Sequence, residues 1–79
     1  MMLKPGDPVI ITYEGKTVHG FVRLASGNGR SLVLGFEATL GGFVGMMAIS
    51  VEDDGRAIDL FMRKPVTIRP VANYSLGGD

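Results

Sequence analysis

Apolar and polar positions alternate along most of this chain, and the alternation breaks at short clusters of glycine, asparagine and aspartate. A period of two marks β-strands, because successive side chains point to opposite faces. The β-branched run Val9, Ile10, Ile11, Thr12 predicts a strand over 9–13. Over 17–25, Val18, Val22 and Leu24 share one face, and Thr17, His19, Phe21 and Arg23 the other. Gly20, between the apolar positions, predicts a bulge or sharp bend. A further strand is expected over 57–62, with Ile58, Leu60 and Met62 on one face and Asp59 and Phe61 on the other. Lys64-Pro65 ends it, and 66–70 is the last strand, with Val66 and Ile68 inward and Thr67 and Arg69 outward. Glu14-Gly15, Asn28-Gly29 and Asp54-Gly55 sit where hairpins must turn, and Asn28-Gly29 is a type I′ signal.

The stretch 31–52, SLVLGFEATLGGFVGMMAISVE, dominates the pattern. Leu32, Leu34, Phe36 and Ala38 fall on one face of its first half, opposite Ser31, Val33, Gly35 and Glu37. The turn-compatible TLGG at 39–42 separates this strand from the next, over 43–52. There, Phe43, Gly45, Met47, Ile49 and Val51 share one face, and Val44, Met46, Ala48 and Ser50 the other. Apolar residues on both faces predict a strand covered on both sides. A chain of 79 residues has little of its own to provide the second cover. The face made by Val44, Met46 and Ala48 is therefore expected to be a subunit interface. A ligand-lined pocket or a terminal segment folded over it are the alternatives. The same stretch is long enough for a membrane span and carries a Gly41/Gly45 pair at GxxxG spacing. Glu37 in its interior, four glycines and the absence of a flanking cation cluster favour the hairpin.

Six short strands joined by tight turns, with no helical period, predict a single small all-β domain. Its architecture is expected to be an SH3-like or OB-like barrel of five to six antiparallel strands. Residues 1–8, with a turn at Pro5-Gly6-Asp7-Pro8, form a lead-in; 9–70 form the barrel; 71–79 form a flexible tail. A core this small contributes only about 3–5 kcal/mol unaided. With no cysteine for a disulfide and one histidine for a zinc site, self-association is the remaining staple, and no cofactor or metal is expected. The start MMLKPGDP lacks an apolar run of signal-peptide length, which gives a cytoplasmic expectation.

The segment Gly6-Asp7-x-Val9-x-Ile11, then Gly15, then Gly20-x-Val22, resembles the GD-x-V…G…G-x-V opening of SH3-like barrels, KOW-type modules included. The resemblance covers under a third of the chain. It implies an SH3-like fold and, for a KOW-type module, contact with RNA or with the transcription and translation machinery.

Composition weighs on that implication: eight basic and eight acidic residues cancel, so general phosphate binding is not expected to dominate. A local patch is still available. Four basic residues, Arg56, Arg63, Lys64 and Arg69, stand against one acid, Asp59, between 56 and 70. With Phe61 outward as a stacking platform, they form a candidate nucleic-acid surface, joined by His19, Phe21 and Arg23. The alternative is a charged rim that keeps strands from pairing promiscuously.

Signals for catalysis are weak. His19 has Ser26, Ser31 or Ser50 as conceivable nucleophiles and Glu37 or Asp59 as acid partners, but no spacing motif links them. Gly41 to Gly45, GGFVG, lacks the Lys-Ser/Thr of a phosphate loop, and Glu52-Asp53-Asp54 lacks the ligand spacing of a calcium loop. The reading that follows is a non-enzymatic binding module that self-associates, with a possible protein partner. A nucleic-acid module comes second. Third is an enzyme whose site gathers copies of His19, Tyr13 or Asp59 across subunits.

Overall fold

The β-branched opening run forms β1 (Pro8–Tyr13), and the segments after it form β2 (Lys16–Ala25), β3 (Ser31–Leu40), β4 (Phe43–Val51), β5 (Ala57–Asp59) and β6 (Pro65–Pro70). In the computed structural model, which describes residues 3–71, each strand pairs antiparallel with the next and β6 returns to β1. The result is a closed six-stranded barrel, consistent with a small SH3-like one, and no helix occurs among the described residues. The stretch 31–52 is thus the β3–β4 hairpin. No helix among the described residues is long and apolar enough to cross a membrane. Of the expected tail, 72–79 lies outside the described residues, as do Met1 and Met2 of the lead-in. Val71 is still tied down, its N–H donating to the Pro8 carbonyl at 3.1 Å.

Alternation delivers the core. Val9, Ile11 and Tyr13 from β1 meet Val22, Leu32, Leu34, Phe36, Leu40, Met47, Ile49, Ala57 and Val66 inside the barrel. The hairpin turns are set by glycine. Glu14 and Gly15 both take positive φ (53° and 80°), as do Gly41 and Gly42 (56° and 92°), which is the type I′ pattern of two-residue loops. Gly41 has a second reason to lack a side chain, since a Cβ there would run into the Tyr13 ring.

Four local expectations are corrected. At 26–30 no type I′ turn forms: only Gly29 is left-handed, and its N–H donates to the Ser26 carbonyl at 3.0 Å. Asn28 Oδ1 instead accepts from Ser26 Oγ (2.7 Å) and the Arg30 N–H (2.9 Å), which favours the longer loop. Gly20 marks no bulge. It is a point of close approach, where a Cβ would run into the Gly35 carbonyl oxygen and stand 2.7 Å from Ile11 Cδ1.

The β2 bulge lies beyond Gly20, between Val22, opposite Leu34, and Leu24, opposite Val33. Arg23 is the extra residue. One inserted residue reverses the facing of those after it, so Leu24 is 64% exposed where Val22 is 1% exposed. A second irregularity sets Phe36, Glu37 and Ala38 of β3 against Gly45 alone in β4.

The fourth correction concerns the strand expected over 57–62. β5 ends at Asp59, its inward residues are Ala57 and Asp59, and Leu60 and Met62 are exposed. The expected two-sided cover of β4 is also not found within one chain: Met47 and Ile49 point inward, while Val44, Met46 and Ala48 are exposed.

Candidate docking face

Strand register places the exposed apolar side chains together. Phe21 of β2 pairs with Gly35 of β3, and Gly35 with Met46 of β4. Gly35 lets the row close up, because the Phe21 ring and the Arg23 stem occupy the space its side chain would take. One step along, Leu24 pairs with Val33 and Val33 with Ala48, whose carbonyl accepts the Leu60 N–H at 2.9 Å. Leu24, Val33, Ala48 and Leu60 line a hollow of about 390 Å³. Val44, Met46, Phe61 and Met62 line a neighbouring one of about 530 Å³ with Phe43. The outer surface of β2, β3 and β4 and the 60–64 loop therefore form one apolar face.

The loop's shape comes from a buried charge. Asp59 is fully buried at the end of β5. Its Oδ1 accepts the N–H of Phe61 (3.0 Å) and of Met62, and its Oδ2 accepts the Lys64 N–H (3.0 Å) and the Tyr13 hydroxyl (2.7 Å). Its backbone closes the same turn, accepting the Arg63 N–H at 3.1 Å and donating to the Lys64 carbonyl at 3.0 Å. Arg63 takes φ 62°, a costly value for a non-glycine residue, so the turn is held by its hydrogen bonds. An edge-to-face chain of rings supports it from below: Tyr13 to Phe43 at 5.7 Å, and Phe43 to Phe61 at 6.2 Å.

The electrostatics follow from the burial. Burial is the largest influence on Asp59 and acts upward. The Met62 N–H, the Tyr13 hydroxyl and the N–H groups of Lys64 and Phe61 nevertheless hold its carboxyl below the usual value. Burial pushes the Tyr13 phenol up to about 12, with the Asp59 hydrogen bond and the Asp59 and Glu14 charges adding to the effect. Tyr13 and Asp59 are a hydrogen-bonded pair inside the core.

The other candidate residues are dispersed. His19 lies exposed on β2, in a hollow of about 580 Å³ that it shares with Glu37, away from the buried Tyr13–Asp59 pair. Ser26 donates to Asn28. Of the basic set, Arg56 is held by Asp54 at 2.7 Å and Lys64 by Glu14 at 3.2 Å. Arg63 sits in the 60–64 loop, whereas Arg56 flanks the far end of β5 and Arg69 lies well along β6, opposite Ile10. Only Arg63 and Lys64 lie in the loop that carries the exposed Phe61. Among the described residues no group of three or more His, Cys, Asp and Glu is placed to hold a metal.

Sequence reasoning located Val44, Met46 and Ala48 but missed Phe21, Leu24, Leu60 and Met62 as parts of the same face. Leu24 was hidden by the bulge, which has no signature around Arg23. The one available hint for the loop was an aspartate placed between apolar residues in AIDLFM. No protein-family model, no curated protein and no solved structure matches this chain.

Proposed function

We propose that this chain is a non-enzymatic binding module that self-associates through the outer face of β2, β3 and β4 and the 60–64 loop. The observation that carries the reading is the extent of that face. The exposed parts of Phe21, Leu24, Val44, Met46, Leu60, Phe61 and Met62 amount to roughly 700 Å². A standard interface takes about 800 Å² from each partner, and a typical monomer's largest apolar patch is about 300–600 Å². A second copy supplies an apolar surface of matching size, as a two-fold interface requires.

The test is solution mass by size-exclusion chromatography with light scattering across a concentration series. The wild-type chain is expected to be a dimer or larger, and Val44→Glu or Met46→Glu to shift it toward monomer while keeping a cooperative melt. Both side chains are exposed, so neither change disturbs the core. An unchanged mass in both variants would remove the basis of the reading.

A nucleic-acid module is the second reading, supported by Phe61 at 81% exposure in one loop with Arg63. It predicts RNA binding that weakens with salt and on Arg63→Ala or Arg69→Ala. Absence of binding at low salt would exclude it.

A further inference from the structure

The 60–64 loop holds three large apolar side chains, Leu60, Phe61 and Met62, in consecutive exposed positions. Apolar burial alone does not explain its shape, because Leu60 and Met62 are about half exposed and Phe61, which meets Phe43 edge-on, is mostly exposed. What shapes it is the Asp59 carboxylate, which takes the N–H groups of Phe61, Met62 and Lys64 and is itself steadied by the Tyr13 hydroxyl. Both halves of this arrangement are costly alone. A buried carboxylate needs every acceptor site satisfied, and three adjacent apolar side chains in water forgo burial. Local rules broken together at one place mark a segment shaped for something other than stability.

We propose that Asp59 is a positioning residue for association. It freezes the 60–64 loop so that Phe61, flanked by Leu60 and Met62, is the anchor that enters the hollow of a second copy. This rests on the self-association reading above and specifies its energetic centre. Preorganisation is the physical gain, since a loop already fixed in its bound shape loses less conformational freedom on docking. Phe61 suits the role: it is a rigid aromatic with most of its surface free, the profile of an interface hot spot. The hollow of about 530 Å³ that Phe61 and Met62 line together with Val44 and Met46 is the complementary apolar receptor on the partner copy, so each Phe61 is both anchor and wall in a two-fold contact.

The experiment compares wild type with Phe61→Ala, Tyr13→Phe and Asp59→Asn, reading two quantities in each. One is the dissociation constant from the concentration dependence of the light-scattering mass. The other is amide hydrogen exchange at residues 61, 62 and 64. Phe61→Ala is expected to weaken association by about tenfold or more with exchange unchanged, the scale of a central aromatic anchor. Tyr13→Phe removes one hydrogen bond to Asp59, keeps the ring, and is expected to speed exchange at 61 and 62 and weaken association severalfold. Asp59→Asn presents an N–H₂ to backbone donors and is expected to do both more strongly. Should it fail to fold, Tyr13→Phe carries the test.

Wild-type association with Phe61→Ala indistinguishable from it would overturn the anchor. Faster exchange in Tyr13→Phe with an unchanged dissociation constant would overturn the positioning role, leaving self-association intact. A wild-type chain monomeric at every concentration would overturn self-association and this inference together.

Discussion

At the scale of single residues, Asp59 and Tyr13 bear most consequence. Each is buried and each satisfies the other, and among the described residues no buried side-chain polar atom lacks a partner. Tyr13→Phe leaves Asp59 one donor short, and it is expected to cost about 1–3 kcal/mol in denaturant unfolding. The pair also sets the pH limits of the fold. Asp59 has a lowered folded pKa, so its contribution is present above the unfolded carboxylate value and is lost as pH falls through the folded one. Tyr13 has a raised folded pKa, so its contribution is complete below the unfolded phenol value of about 10 and disappears as pH climbs through about 12. Unfolding midpoints measured against pH are expected to be flat across the neutral range and to fall at both ends. Tyr13→Phe should remove the phenol's own part of the alkaline fall. A second residue-scale prediction concerns Gly41, which combines positive φ with contact to the Tyr13 ring. Gly41→Ala is expected to destabilise by on the order of 2 kcal/mol, read from the shift in denaturant midpoint.

At the scale of elements, the β2 bulge decides what the outside of the barrel looks like. In an unbulged strand, with Arg23 paired in register, Leu24 would continue the inward series of Val22. With the bulge, Leu24 joins Val33 and Ala48 outside. Leu24→Glu is therefore expected to leave stability within about 1 kcal/mol of wild type while weakening association. Val22→Glu, one turn of the pleat earlier, is expected to abolish folding. Circular dichroism melts of the two variants check this directly, and equal destabilisation of both would contradict the bulge. The β5–β6 connection makes the same point. A strand of three residues is short because its aspartate bonds to the N–H groups that follow it and bends the chain away.

At the scale of the whole molecule, β6 closes the barrel onto β1, while β5 pairs with only Ile49–Val51 of β4, and the association proposed above uses the outer face of the barrel. The proposed route is face to face, through apolar surface. Such association is expected to persist or strengthen as salt rises, whereas a phosphate-binding surface would weaken steeply. One mass measurement repeated at low and high salt separates these two behaviours. Balanced charge across the chain leaves no long-range repulsion between copies to oppose docking.

What the sequence determined by itself was the strand pattern and most of the turns, which depend on near neighbours in the chain. Alternation at a period of two placed β1 to β4 and β6 and the start of β5, and Glu14-Gly15 and Gly41-Gly42 placed their turns, because both effects act within a few residues. Val44, Met46 and Ala48 were legible as a face for the same reason. Tertiary structure alone decided the rest. The hydrogen bond between Tyr13 and Asp59 joins residues 46 positions apart, and no local pattern announces it. Gly20 and Gly35 are required by backbones and rings that reach them from other strands. The Arg23 bulge turns on how β2 meets β3, and through it Leu24 joined the outer face beside Val33 and Ala48. Side-chain period is a property of one strand, whereas a face is a property of the register between strands.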